Sequence, residues 1–164
     1  MFNEEFNNFF ESIKDKLGIR KTSFTKIFQY LDKIEGPINI VETGCLRIKD
    51  NFKGDGQSTL LFDKYTQYRE EKSKVYTVDI NPKATEFCKS IVSNNVEIHT
   101  GDSVKYLTEL MPKLKKQNEK ISLFYLDSFD VDWQSSDRSA AHHLKEITAI
   151  INYISEETLI VIDD

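Results

Sequence analysis

The chain has 164 residues and a mass of 19.1 kDa, one domain's worth, long enough to bury its own core without disulfide or metal staples. Hydrophobic residues make up 39% and charged residues 30%, with a mean hydropathy of −0.47, which excludes a disordered chain. The 22 basic residues stand against 27 acidic ones, net −5 at pH 7, so a general nucleic-acid binder is disfavoured while room is left for a local basic patch.

No run of about 18 apolar residues is present, so no membrane span is expected. The start, Met1-Phe2-Asn3-Glu4-Glu5, is acidic where a signal peptide would be basic. Cys45 and Cys88 form no C-x-x-C pair and, with three histidines, give no zinc spacing. They read as reduced thiols of a cytoplasmic protein.

Apolar residues at Phe2, Phe6, Phe9, Phe10, Ile13 and Leu17 recur with helical spacing, so residues 2–17 read as an amphipathic helix closed by Gly18. Residues 23–33 read as a second helix, on Phe24, Ile27, Phe28 and Leu31, which Gly36-Pro37 stops. A short β-branched strand follows at 38–41, ending in Glu42-Thr43-Gly44, then a helix at 58–71 and a strand at 75–80. Asn81 as N-cap and Pro82 at the first position open the next helix. A strand at 96–99 leads into Gly101-Asp102-Ser103 and a helix over 104–116, which Pro112 is expected to kink or end early. An apolar strand at 121–126 ends at Asp127. A polar stretch, a helix over 140–154 and a last strand at 158–162 complete the order.

Strands alternating with helices call for a parallel sheet with right-handed crossovers, and uniformly apolar strands call for helices on both faces. The expected fold class is therefore α/β, a doubly wound sheet over residues 37–164, with residues 1–36 as an N-terminal helical segment. Ligands of such a sheet bind beyond the C-terminal ends of its strands.

Each expected strand ends in an acidic or glycine-containing cluster: Glu42 with Gly44, Asp79, Gly101-Asp102-Ser103, Asp127, and Asp163 with Asp164. Any one acid could simply cap the helix after it, but capping does not require one acid per strand. Asp79 tells most. An acid ending the second strand, after a glycine-containing first loop, is where a ribose diol is held, because a carboxylate accepts two hydrogen bonds side by side. The first loop lacks Gly-x-Gly-x-x-Gly, and Gln57 stands where a phosphate-binding loop needs Lys. In their place are Glu42-x-Gly44 and, after a detour, Gly54-Asp55-Gly56-Gln57-Ser58-Thr59.

Over residues 38–164 the chain resembles the class I, Rossmann-like S-adenosylmethionine-dependent methyltransferases. The residues that carry the resemblance are Val41-Glu42-Thr43-Gly44-Cys45, Val78-Asp79, Gly101-Asp102-Ser103 and Leu126-Asp127. It implies strand order 3-2-1-4-5 and S-adenosylmethionine as cofactor. Glu42 and Gly44 would then lie at the cofactor's amino-acid part, Asp79 at the ribose, and Asp102 with Ser103 at the adenine. Two departures stand out. The stretch 45–56 is longer than the family's tight loop and carries Arg47, Lys49, Asp50 and Lys53, so it reads as a substrate loop or as a tolerated insertion. The family's final helix and antiparallel hairpin do not follow the fifth strand, so a truncated core is one expectation. A fifth strand with an open edge then implies a missing C-terminal segment or a homo-oligomer.

A metal-dependent O-methyltransferase subset binds a divalent ion through an Asp after strand 4 and an acidic pair after strand 5. Asp127, Asp163 and Asp164 occupy those places and suit Mg2+, which would lower a substrate hydroxyl's pKa. Catechol-type relatives carry a Lys base where Asp130 stands here, so Asp127, Asp130, His142 and His143 are the candidates for acid–base work. Trp133, in the loop after strand 4, either stacks on a substrate ring or anchors its loop. The expected activity is methyl transfer to an oxygen of a small molecule or sugar. The alternative is an inactive cofactor-binding or scaffold module of the same fold, and aminopropyl transfer is a further rival.

Overall fold

The computed structural model describes residues 3–54, 57–69, 72–132 and 134–163; Phe2, Gly56, Trp133 and Asp164 lie outside the described residues. Five strands, β1 (Asn39–Thr43), β2 (Lys74–Asp79), β3 (Val96–Thr100), β4 (Leu123–Leu126) and β5 (Leu159–Ile162), form one sheet in the order β3-β2-β1-β4-β5. All four neighbouring pairs are parallel, as the alternation of strand and helix requires. The chain departs from β1 in opposite directions, toward β2 and toward β4, so the switch point lies between the ends of β1 and β4.

Side chains alternate between the two faces. Ile40, Val75, Leu123 and Tyr125 point into a core shared with α1 (Glu4–Ile13), α2 (Arg20–Leu31) and α3 (Ser58–Gln67). Val41, Tyr76, Phe124 and Leu126 point into a second core with α5 (Ser103–Lys116) and α6 (Asp137–Ile150). α4 (Pro82–Ile91) adds a smaller cluster through Ala84 and Cys88, packed on Cys45 and Leu46. The first core is aromatic. Phe28 lies 4.7 Å from Phe6, 5.4 Å from Phe10 and 5.1 Å from Tyr65, ring centre to ring centre, in edge-on or tilted pairs. The N-terminal helices therefore share a core with the sheet.

Helix boundaries follow the caps. Asn81 accepts from the Lys83 N–H at 3.0 Å and Pro82 opens α4, as its residues imply. Asp102 accepts from the Lys105 N–H at 2.9 Å and starts α5 at Ser103. Four expectations are corrected. The first helix ends at Ile13 and tightens into a 3-10 turn, Lys14–Leu17, closed by Gly18 at φ +58°. α2 begins at Arg20, three residues early. α6 ends at Ile150, where a 3-10 turn, Ile151–Tyr153, takes over. Of the two outcomes expected at Pro112, the early end does not occur: α5 runs on to Lys116. Burial of Leu107, Leu110 and Met111 before or beside the proline and of Leu114 after it outweighs the one amide that proline lacks.

Candidate functional site: the C-terminal strand ends

β1 ends in a turn that only glycine fits. Gly44 has φ +83°, and a Cβ there would meet the Asp127 carbonyl oxygen at 2.1 Å. Its N–H donates to the Val78 carbonyl at 2.8 Å, so the turn is sewn to β2. Glu42 below it is fully buried on the face of the N-terminal helices. Its Oε2 accepts from the Thr59 and Thr77 hydroxyls, both at 2.7 Å. The Thr59 oxygen in turn accepts from the Leu46 N–H at 2.9 Å. As placed, Glu42 holds the loop that would face a ligand.

Asp79, half-buried at the end of β2, lies against that loop. Its Oδ2 accepts from the Cys45 N–H at 3.3 Å and its Oδ1 from the Asn81 N–H at 2.8 Å. Each oxygen has two lone pairs, so both can still receive a diol. The glycine turn after β1 and the acid that ends β2 are thus adjacent, joined through the Cys45 N–H. Cys45 and Cys88 touch beneath it; the neighbouring sulfur and then burial push the Cys45 thiol far above its usual range, which makes it a core residue rather than a nucleophile.

The long β1–α3 loop packs against the N-terminal helices. Phe52 is buried in their core with the Lys16 ammonium 5.3 Å from its ring centre, and Arg20 Nη1 donates to the Lys53 carbonyl at 3.1 Å. Gln57 Nε2 closes the loop on the Ile48 carbonyl at 2.8 Å.

At the end of β3, Asp102 caps its own helix through one oxygen, and Ser103 is buried with its Oγ 2.9 Å from His142 Nε2. That histidine belongs to a network the sequence reading missed, centred on fully buried Glu146. Glu146 Oε1 accepts from the Ser128 hydroxyl at 2.7 Å and lies 3.5 Å from His142 Nε2, while Oε2 lies 2.9 Å from His143 Nδ1. Burial alone would raise the Glu146 carboxyl, but the bonds from His143, Ser103 and Ser128 hold it below its usual value. The signal was in the sequence: Glu146 stands three and four places after the two histidines, on one side of a helix. The carboxylate approaches the same His142 nitrogen as the serine, so this is no relay of the Ser-His-acid kind. The network ties α5 and α6 to the end of β4.

The ends of β4 and β5 bring Asp127 and Asp163 together on the other face. The Leu126–Ile162 register makes the two acids neighbours, and the Asp163 N–H donates to the Leu126 carbonyl at 3.0 Å. Asp163 Oδ2 accepts from Arg20 Nε at 3.0 Å and from the Tyr125 hydroxyl at 2.5 Å. Burial, then Asp163 and Glu42, push the Asp127 carboxyl up to about 8, with Arg20 and Arg47 opposing. Arg20 was not among the residues singled out from sequence, because nothing local marks a helix-start arginine as reaching a strand end 143 positions later. Asp130 is exposed and pairs with Arg47 at 3.4 Å, out on the loop.

Among the described residues no group of three His, Cys, Asp or Glu side chains is arranged to hold a metal ion. Asp163, one of the expected ligands, is engaged by a guanidinium and a phenol. The described donors therefore do not make up a magnesium set.

Among the described residues no helix is long and apolar enough to cross a membrane. A scan against protein-family models finds none that matches, and comparison with curated proteins finds no match either. The fold class is shown by the structure itself: a Rossmann-like α/β sheet, all parallel, with acids gathered at its C-terminal edge.

Proposed function

We propose that this chain binds S-adenosylmethionine over the ends of β1 and β2 and transfers the methyl group to an oxygen of a small-molecule acceptor. The observation that carries the reading is the Asp79 carboxylate sewn to a glycine-only turn, with one lone pair on each oxygen left for a ribose diol. When bound, the cofactor supplies an electrophilic methyl on a sulfonium. Asp79 would orient the ribose, Gly44 would admit the amino-acid part to the backbone, and the remaining oxygen of Asp102, near Ser103, would meet the adenine side. Asp127, at the end of β4, has its carboxyl pushed up to about 8, close to the working range of a general base. In its ionised form it accepts the proton of the acceptor hydroxyl as the new C–O bond forms and the C–S bond breaks.

The experiment is a calorimetric titration with S-adenosylhomocysteine, with and without magnesium, followed by mass analysis of products with labelled cofactor. Binding at micromolar concentration, indifferent to magnesium, is expected. Absence of binding overturns the cofactor assignment. Binding that needs magnesium restores Asp127, Asp163 and Asp164 as a metal set. Binding without methyl transfer to any of a broad panel of hydroxyl compounds turns the reading to an inactive module of the same fold.

A further inference from the structure

Beside Asp163, the register neighbour of Asp127, there is a cavity of about 470 Å³ between the N-terminal helices and the end of β5. Its walls include Leu17, Ile19, Arg20, Ser23, Lys53 and Asp163. The volume is within the range of small-molecule sites. It lies on the same sheet face as Asp127, since Tyr125, Val161 and the two strand-end acids share one phase of the strand alternation.

The charge around this cavity contrasts with the rest of the chain. Residues 14–26 hold five basic side chains and one acidic, and residues 45–57 hold three basic and two acidic. Those two segments carry a surplus of five positive charges in a chain of net −5. They are also packed on one another, through Lys16 over Phe52 and Arg20 on the Lys53 carbonyl. Of these basic residues Arg20 and Lys53 line the cavity, while Lys14 pairs with Glu11, Lys21 with Asp15 and Arg47 with Asp130. Arg20 uses Nε on Asp163 and one Nη1 hydrogen on Lys53, which leaves three of its five N–H donors. The Lys53 side chain is exposed and has no ion pair among the described residues. Ile19, almost wholly exposed at 95%, adds an apolar wall to the rim.

We infer that this cavity is the acceptor site and that its ligand is a small anionic molecule, a phosphate monoester or a carboxylate, whose charged group meets Arg20 and Lys53 while a neighbouring hydroxyl extends past Asp163 toward Asp127. This rests on the methyl-transfer reading for the word acceptor, though the anion site itself does not. Planar, bidentate recognition of phosphate or carboxylate suits the arginine, and the lysine supplies a point charge. Arg20, already pinned by Asp163, is pre-organised for it, so little side-chain freedom is lost on binding.

The test uses inorganic pyrophosphate and citrate as probes, followed by backbone amide shifts of the labelled protein, with S-adenosylhomocysteine binding measured in parallel. Either probe is expected to shift amides of residues 17–23 and 53, with an affinity that falls as salt rises. Lys53→Glu should weaken the probe at least tenfold and leave S-adenosylhomocysteine affinity unchanged, since Lys53 is outside the β1–β2 edge. Arg20→Lys should weaken it too. Binding elsewhere, no binding, or equal binding to Lys53→Glu overturns the anion site. Much tighter binding of a single-stranded oligonucleotide, lost in the same variant, overturns the small-molecule assignment. Probe binding with no S-adenosylhomocysteine binding leaves the anion site standing and removes the methyl-transfer reading instead.

Discussion

Replacing Asp127 with Asn removes one ionisation and little else. In the folded chain this carboxyl keeps its proton to about pH 8, against 3.8 for the free group, mainly because it is buried and then because Asp163 and Glu42 lie close. The unfolded chain releases the same proton near pH 4. A group whose folded value lies above its unfolded value contributes stability that is full below the unfolded value and lost as pH rises to the folded one. Wild-type stability should therefore fall between about pH 4 and pH 8, opposite to the usual paired carboxylate. Four pKa units at about 1.36 kcal/mol each put the loss on the order of 5 kcal/mol. Asn imitates the protonated acid, so Asp127→Asn should match the wild type within about 1 kcal/mol at pH 4 and exceed it by several kcal/mol at pH 8.5. For a chain of this length, about 2–4 °C per kcal/mol makes the difference in melting temperature roughly 10–20 °C. The assay is denaturant unfolding followed by circular dichroism at half-unit pH steps, read as the difference between the two proteins. Titrations common to both cancel. A difference curve flat to within about 1 kcal/mol across pH 5–8.5, or one that falls with pH, refutes the placement of this carboxyl in a buried position beside Asp163 and Glu42.

The same group sets a kinetic expectation: methyl transfer should rise about tenfold per pH unit up to near pH 8 and level off, and be lost in Asp127→Asn while S-adenosylhomocysteine still binds. Gly44→Ala, with its Cβ against the Asp127 carbonyl and φ at +83°, should cost about 2–4 kcal/mol, whereas Gly18→Ala, at φ +58° with open space around it, should cost about 1 kcal/mol; chemical denaturation of both variants checks the contrast. Asp79→Ala should weaken S-adenosylhomocysteine at least tenfold by calorimetry, since a hydrogen bond to a charged group contributes about 1.5–3 kcal/mol. Glu146→Ala leaves His143 and Ser128 without their buried acceptor and should destabilise by about 3–5 kcal/mol, with the wild-type contribution lost as pH falls, because its folded carboxyl is held below the unfolded value.

The element order, the parallel sheet and the rank of acids at the strand ends were readable from the chain, because strand and helix periods and cap residues are local properties. Asn81-Pro82 opening α4 and Asp102 opening α5 needed no more than their neighbours in sequence. That Gly44 turns beside Asp79 depends in addition on two adjacent parallel strands ending level. Pro112 shows the limit of local rules: the residue that ends an isolated helix is carried through when both sides of it are buried. What each acid does was decided only in three dimensions. Glu42 is sealed under its loop by two threonines, 17 and 35 residues away. Asp163 is held by an arginine near the start of the chain, and His142 is turned to a serine and a buried glutamate. The charge of a carboxylate is written in its side chain, but its proton affinity is set by how much water it loses and which charges face it. Both depend on segments far apart in sequence that meet only when the sheet closes against its helices.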